Sequence, residues 1–211
     1  MTTQQQQSTT GGAGDGPSRL LVVCEGNICR SPVAALLLAT ALGPDVEVTS
    51  AGTRAVVGAP VEPAMAAFLG ERAVELDGFR ARQLRADQVR AADLVLTMSR
   101  RQRSAAVGFA PAAVRRAFTL RELARLLGDV DPQVLGSGTS ATVAERLRRA
   151  LPAAAAQRRF VADPRVDDIA DPYGRDEAAY ARAYAAITDA VARVVGVLAP
   201  GGRAATRDGS V

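Results

Sequence analysis

The stretch Leu20-Leu21-Val22-Val23-Cys24-Glu25-Gly26-Asn27-Ile28-Cys29-Arg30-Ser31-Pro32 decides how the rest of the chain is read. Its first four residues form a short apolar run of the kind found in strands buried on both faces. Ser31-Pro32 then opens an Ala/Leu-rich segment that reaches Leu42 and is closed by Gly43-Pro44. Ser followed by Pro reads as an N-cap and first helical residue, and Gly-Pro reads as a stop. A strand that turns sharply into a helix aims its backbone N–H groups into the turn, where the helix dipole adds positive potential, so the turn binds anions. Gly26 and Asn27 tolerate the positive φ that such a nest requires. Cys24 stands at the end of the strand and Arg30 six positions on. A curled loop can therefore bring a guanidinium over an anion held above the sulfur. The same field favours the ionised, nucleophilic form of a cysteine. Ser31 is placed to donate a hydrogen bond to that sulfur.

Outward from this turn the pattern alternates. Val46 to Ser50 is a second strand candidate, Asp93 to Met98 a third and Ala117 to Leu120 a weaker fourth, with a helix candidate at Glu62 to Glu71. Tyr180, Tyr184, Ile187, Val191, Val194, Val195 and Leu198 lie on one face of a 3.6-residue period, which predicts a long final helix with both tyrosines in the core. Strands alternating with helices predict a single α/β domain, a central four-stranded parallel sheet with helices on both faces. The domain is expected over residues 19–199, between disordered tails at 1–18 and 200–211 that are too polar or Gly-rich to order themselves. Residues 128–168 have no strand signal and read as a helical insertion, with its helix from Ala141 to Gln157.

Composition narrows the chemistry. The 211 residues suffice for one domain with a real core, and 48% of them are hydrophobic. No apolar run approaches the roughly 18 residues that span a membrane, and Met1 to Gly16 lacks the basic and apolar parts of a secretory signal. Two cysteines exclude a disulfide framework and point to a reducing, cytoplasmic setting. Histidine is absent, which removes His general bases, Ser-His and Cys-His pairs and nearly every common zinc site. All 26 basic residues are arginine, and the net charge is +4. The basic stretch Arg100 to Arg125 reads as a solvated helical face. Phe109 and Phe118 are too few aromatics to suggest nucleic-acid binding.

Cys24-Glu25-Gly26-Asn27-Ile28-Cys29-Arg30-Ser31-Pro32 resembles the phosphate-binding loop of the low-molecular-weight protein tyrosine phosphatases. Further likenesses follow in family order: Ser50-Ala51-Gly52-Thr53, Arg82-Gln83-Leu84, Ala92 to Ser99, and Asp171-Pro172-Tyr173 just before the last helix. The resemblance implies a phosphomonoesterase that needs no metal or cofactor and acts on phosphotyrosine in a phosphoprotein; from composition, neither nucleic acid nor membrane is expected as a partner. It implies Cys24 as nucleophile, Arg30 as phosphate ligand and Asp171 as general acid. The loop residues Glu25, Gly26, Asn27, Ile28, Cys29 and Ser31 would complete the phosphate site. Of three Asp-Pro pairs, at Asp131, Asp163 and Asp171, only the last has a following Tyr and the position before the final helix. Asn27 is expected to brace the loop through Ser50, with Val56 and Tyr173 as substrate walls.

The chain departs from the family pattern in several places. Glu25 brings a carboxylate beside the nucleophile and is expected to face the solvent rim. Phe79 stands where some relatives place a His that supports the loop. Val56 and Gly174 thin the aromatic wall that stacks on a phenyl ring. Ile28 stands where relatives specific for arginine phosphate carry Thr, which argues against that substrate. Cys29 is either a disulfide partner that shields Cys24 or a small buried support. An arsenate reductase on the same scaffold would need cysteines beyond Cys29, and a catalytically weak phosphate-binding module is the remaining alternative.

Overall fold

The computed structural model describes residues 17–135, 141–160 and 164–199. The expected tails lie outside these residues, apart from Pro17 and Ser18, as does Asp163. Ser18 is already the first residue of strand β1 (Ser18–Cys24).

Three further strands join β1 in one parallel sheet: β2 (Val46–Gly52), β3 (Leu94–Thr97) and β4 (Ala117–Thr119), in the order β2-β1-β3-β4. The central strand explains the continuous apolar run at Leu20 to Val23. Side chains of a strand alternate between faces. Leu20, Val22 and Cys24 pack into the larger core with Leu94, Leu96 and Phe118, while Leu21 and Val23 pack on the other face with Val95 and Ala117. Helices α1 (Arg30–Leu42), α5 (Leu120–Gly128) and α7 (Glu177–Leu198) contribute to the larger core. Helices α3 (Ala86–Ala91) and α4 (Arg100–Phe109) cover the smaller one. Layering on both faces is the expected α/β architecture.

The final helix behaves as its periodicity predicts. Tyr180, Ile187, Val191, Val194 and Leu198 are buried, and the half-buried Tyr184 stacks on Phe68 with ring centroids 5.4 Å apart. Gly43 closes α1 with φ 71° and a backbone bond to Ala39. The helix expected at Glu62 to Glu71 is different. A single α-turn, α2 (Pro63–Ala66), gives way to a 3-10 segment (Ala67–Leu76) broken at Gly70, whose φ is 56°. A positive φ is cheap for glycine and interrupts the helical hydrogen-bond ladder.

The predicted insertion helix is α6 (Val143–Ala156). Thr142 and Glu145 cap its N-terminus reciprocally. Leu147, Ala150 and Ala154 are buried in the larger core, and Arg146 donates to the carbonyl of Val197 at the end of α7. Beyond it Arg158 lies 3.9 Å from the centre of the Phe118 ring and pairs with the buried Glu122. This segment is therefore part of the packing of the domain. Leu147→Ala should lower the stability of the whole fold by about 2–5 kcal/mol, as removal of a buried Leu side chain does, seen as a parallel shift of the urea midpoint by circular dichroism. A loss confined to a helical shoulder before the main transition would mean that α6 melts on its own.

Candidate active site

The carboxyl ends of the strands form the floor of the site, as is usual for open parallel sheets. Cys24 ends β1, and residues 25–29 curl before α1 begins at Arg30. Asn27 is the only non-glycine with positive φ among the described residues, at 54°. Its side chain explains why it stays there. Nδ2 donates to Ser31 Oγ (2.9 Å) and Ser50 Oγ (3.0 Å), while Oδ1 accepts from the Arg82 backbone N–H (2.8 Å). The two bonds to the serines are buried and the one from Arg82 is partly so, which makes them costly to lose. The expected partnership with Ser50 is present, and Ser31 and Arg82 extend it. Gly26, expected to share the left-handed role, has an ordinary φ, because one αL residue suffices to reverse the chain.

The wall behind the loop approaches it closely. Thr53, Arg54 and Val56 donate backbone bonds to the carbonyls of Cys24, Glu25 and Gly26. Gln83 braces that wall, accepting from the Ala55 N–H and donating to the Thr53 carbonyl. Gly52 has no room for a side chain: a Cβ there would stand 2.4 Å from the Glu25 carbonyl oxygen and 2.9 Å from the Asn27 nitrogen. This requirement was legible only as a glycine at a strand end, since the register that sets it opposite Cys24 is tertiary. Phe79, in place of the expected His, packs half-buried against the larger core and adds no polar support.

Two donors converge on the Cys24 sulfur, the Asn27 N–H (3.2 Å) and the Ser31 hydroxyl (2.9 Å). Ser31 is thus not the helix cap that its position before Pro suggests. Cys29 occupies the cap position without a side-chain bond, and the hydroxyl of Ser31 goes to sulfur instead. Pro32 then falls within the first turn, where a missing N–H costs nothing. The N–H groups of Glu25, Gly26, Ile28 and Cys29 find no protein acceptor among the described residues.

Arg30 is buried, with 3% of its side chain exposed. Nη1 donates to the Ile169 carbonyl (2.9 Å) and Nη2 pairs with Asp171 Oδ2, while Nε is buried without a protein partner among the described residues. The loop that carries Asp171 is pinned by the Ile169 N–H on the Met98 carbonyl, and Asp171 Oδ1 accepts from the Tyr173 N–H (3.2 Å). Asp131 instead makes a local turn, accepting from the Gln133 N–H.

These groups surround a cavity of about 370 Å³ whose walls include Cys24, Glu25, Gly26, Ile28, Cys29 and Arg30. Val56, Asp171 and Tyr173 also line it, as expected. Arg54 and Arg175 line it too, and no local signal in the sequence marks either of them. Cys29 is a neutral thiol: burial pushes it from 9.0 up to about 12, against the opposing pull of Arg30. No cluster of three or more His, Cys, Asp or Glu among the described residues could hold a metal ion.

A family model described as low molecular weight phosphotyrosine protein phosphatase matches residues 19–158. The chain belongs to this family. Over 112 residues it is 38% identical to a probable low molecular weight protein-tyrosine-phosphatase, EpsP of Ralstonia solanacearum, a match that covers 53% of this chain and 75% of that relative. The crystal structure of the Erwinia amylovora tyrosine phosphatase AmsI superposes with a TM-score of 0.62 at 25% identity, over 90% of this chain and 98% of that one. The arginine phosphatase YwlE from Geobacillus stearothermophilus superposes with a TM-score of 0.58 at 28% identity, over 85% and 91% of the two chains.

Two outcomes test this geometry. Gly52→Ala forces the loop away from the wall and should weaken vanadate binding at least tenfold, measured by calorimetry, while the protein remains folded. Because the folded state holds the Cys29 proton to about 12 against 9.0 when unfolded, the associated stability is whole below pH 9.0 and is lost as pH rises toward 12. Cys29→Ala should flatten that alkaline decline in denaturant titrations.

Proposed function

We propose that the protein hydrolyses phosphotyrosine in phosphoproteins through a cysteinyl-phosphate intermediate. The observation that carries this reading is the convergence on one cavity of a hydrogen-bonded sulfur, a buried guanidinium with a free Nε, and a carboxylate.

The phosphoryl group enters with its equatorial oxygens on the inward N–H groups and the Arg30 fork. Those donors stabilise the charge that spreads over the oxygens in the transition state. Cys24 Sγ attacks phosphorus in line, and the bond to the ester oxygen breaks as Asp171 delivers a proton to it. Asp171 then removes a proton from water, which attacks phosphorus and releases phosphate. The Ser31 hydroxyl, bonded to Sγ, stabilises the sulfur as it leaves. Phosphate and Asp171 compete for Arg30, so arrival of the dianion frees the carboxyl group for the leaving oxygen.

Ile28 presents an apolar side chain to the cavity, which suits an aryl ester better than the guanidinium of phosphoarginine. An arsenate reductase is not favoured, since Cys24 and Cys29 are the only cysteines. Residues 19–199 act as one catalytic domain in this reading, with 128–168 as its elaboration. No helix among the described residues is long and apolar enough to cross a membrane. The cytoplasm, which keeps thiols reduced, is the compartment that suits a catalytic sulfur.

Hydrolysis of p-nitrophenyl phosphate without added metal tests the reading. Cys24→Ser should abolish turnover, by about 10⁴-fold or more, while retaining vanadate binding. Asp171→Ala should reduce kcat by about 10²–10³-fold for phenyl phosphate and much less for p-nitrophenyl phosphate, whose leaving group needs little protonation. Undiminished activity in Cys24→Ser would refute the mechanism.

A further inference from the structure

We propose that the mouth of the cleft is a cationic subsite that selects phosphotyrosine flanked by acidic side chains. The proposal rests on the phosphatase reading and deepens it.

Glu25 follows the nucleophile, and its side chain is turned to the rim, 31% exposed. Its Oε1 receives Arg54 Nη1 at 3.4 Å and Arg101 Nη2 at 3.2 Å. The two arginines come from different elements, the wall after β2 and the first turn of α4, and are 76% and 72% exposed. One carboxylate thus serves two guanidiniums, which leaves a surplus positive charge at the mouth. Each arginine also keeps donors that Glu25 does not use, since guanidinium carries five N–H groups. Arg175, on the cavity wall, makes no ion pair among the described residues. The nearby Asp171 carboxylate is taken by Arg30, and Asp168 by Arg100.

The placement of Arg101 runs against local preference. The first turn of α4 contains Arg100 and Arg101 and no acid, where the helix dipole favours negative charge. Asp168 offsets this at Arg100 by accepting from its backbone N–H (2.7 Å) and its guanidinium. Among the described residues Arg101 pairs only with Glu25, on the phosphate loop itself. Its position is explained by the rim.

The apolar wall is meanwhile thin. Tyr173 is the sole aromatic ring lining the cavity among the described residues, with Val56 and Ile28 as apolar neighbours in the lining. With little stacking area, discrimination between peptides falls to charge. A residue beside phosphotyrosine meets Arg54, Arg101 and Arg175, which attract Asp or Glu and repel Lys or Arg. Such rim charges act on encounter and register more than on tight binding, and salt screens them.

The test compares three phosphotyrosine peptides that differ only in flanking Asp/Glu, Ser or Lys, with p-nitrophenyl phosphate as the flank-free reference. For the unmodified protein at low ionic strength, kcat/KM for the acidic peptide should exceed that for the Ser peptide by about three- to tenfold, with the Lys peptide slowest. The ratio should collapse toward one near ~0.5 M salt, and in Arg54→Ala/Arg101→Ala. Glu25→Gln releases both guanidiniums and should raise the ratio. Equal values for the three peptides, or preference for the Lys peptide, would overturn the proposal alone. A protein inactive on every substrate would overturn the phosphatase reading and this proposal with it. The peptide comparison on the unmodified protein decides even if a variant misfolds.

Discussion

The site depends on a single residue held in a conformation that most side chains avoid. Asn27 reverses the chain at φ 54°, and only its buried amide, satisfied by Ser31, Ser50 and the Arg82 N–H, keeps it there. That reversal puts the Asn27 N–H on the Cys24 sulfur. Ser31 joins the two halves of the arrangement, accepting from Asn27 and donating to sulfur. The strain is offset by hydrogen bonds largely shielded from water, because Asn27, Ser31 and Ser50 are buried.

A second constraint comes from closeness. The loop lies against the wall 53–56 as though it were an added strand, and Gly52 makes this approach possible. The wall in turn carries Arg54 to Glu25, so the element that shapes the phosphate cup also delivers charge to its rim. Arg30 is the counterpart on the opposite side, tied to Ile169 and Asp171 on the loop before α7. Sulfur and guanidinium thus share one contiguous loop, and the carboxylate comes from a distant loop tied to it through Arg30.

Much of this was legible in advance because the signals are local. The β1 run is apolar at every position because both faces are covered, and the loop motif needs contiguous residues to form its nest. Asp171 was distinguishable from Asp131 by the likeness of Asp171-Pro172-Tyr173 to the family pattern before the last helix. Local signals failed where a residue had a distant use. Of the two roles read for Ser31, donor to the sulfur holds and helix cap does not. The basic stretch after Ser99 looked like a solvated face, yet Arg100, Arg103 and Arg125 pair with Asp168, Glu122 and Asp167, and Arg101 reaches Glu25. Gly70 breaks the helix read at Glu62 to Glu71, a break that amphipathic periodicity does not register.

The sequence by itself determined the α/β alternation, the strand-loop-helix motif and the place of Cys24 at its start, because each is written in residues adjacent along the chain. Tertiary structure alone decided that Gly52 must lack a side chain, that Arg30 and Asp171 meet, and that one glutamate is shared by two arginines at the mouth. These facts depend on strand register and on which loops converge at the carboxyl ends of the sheet, and contacts between residues up to 141 positions apart leave no periodic trace in the chain.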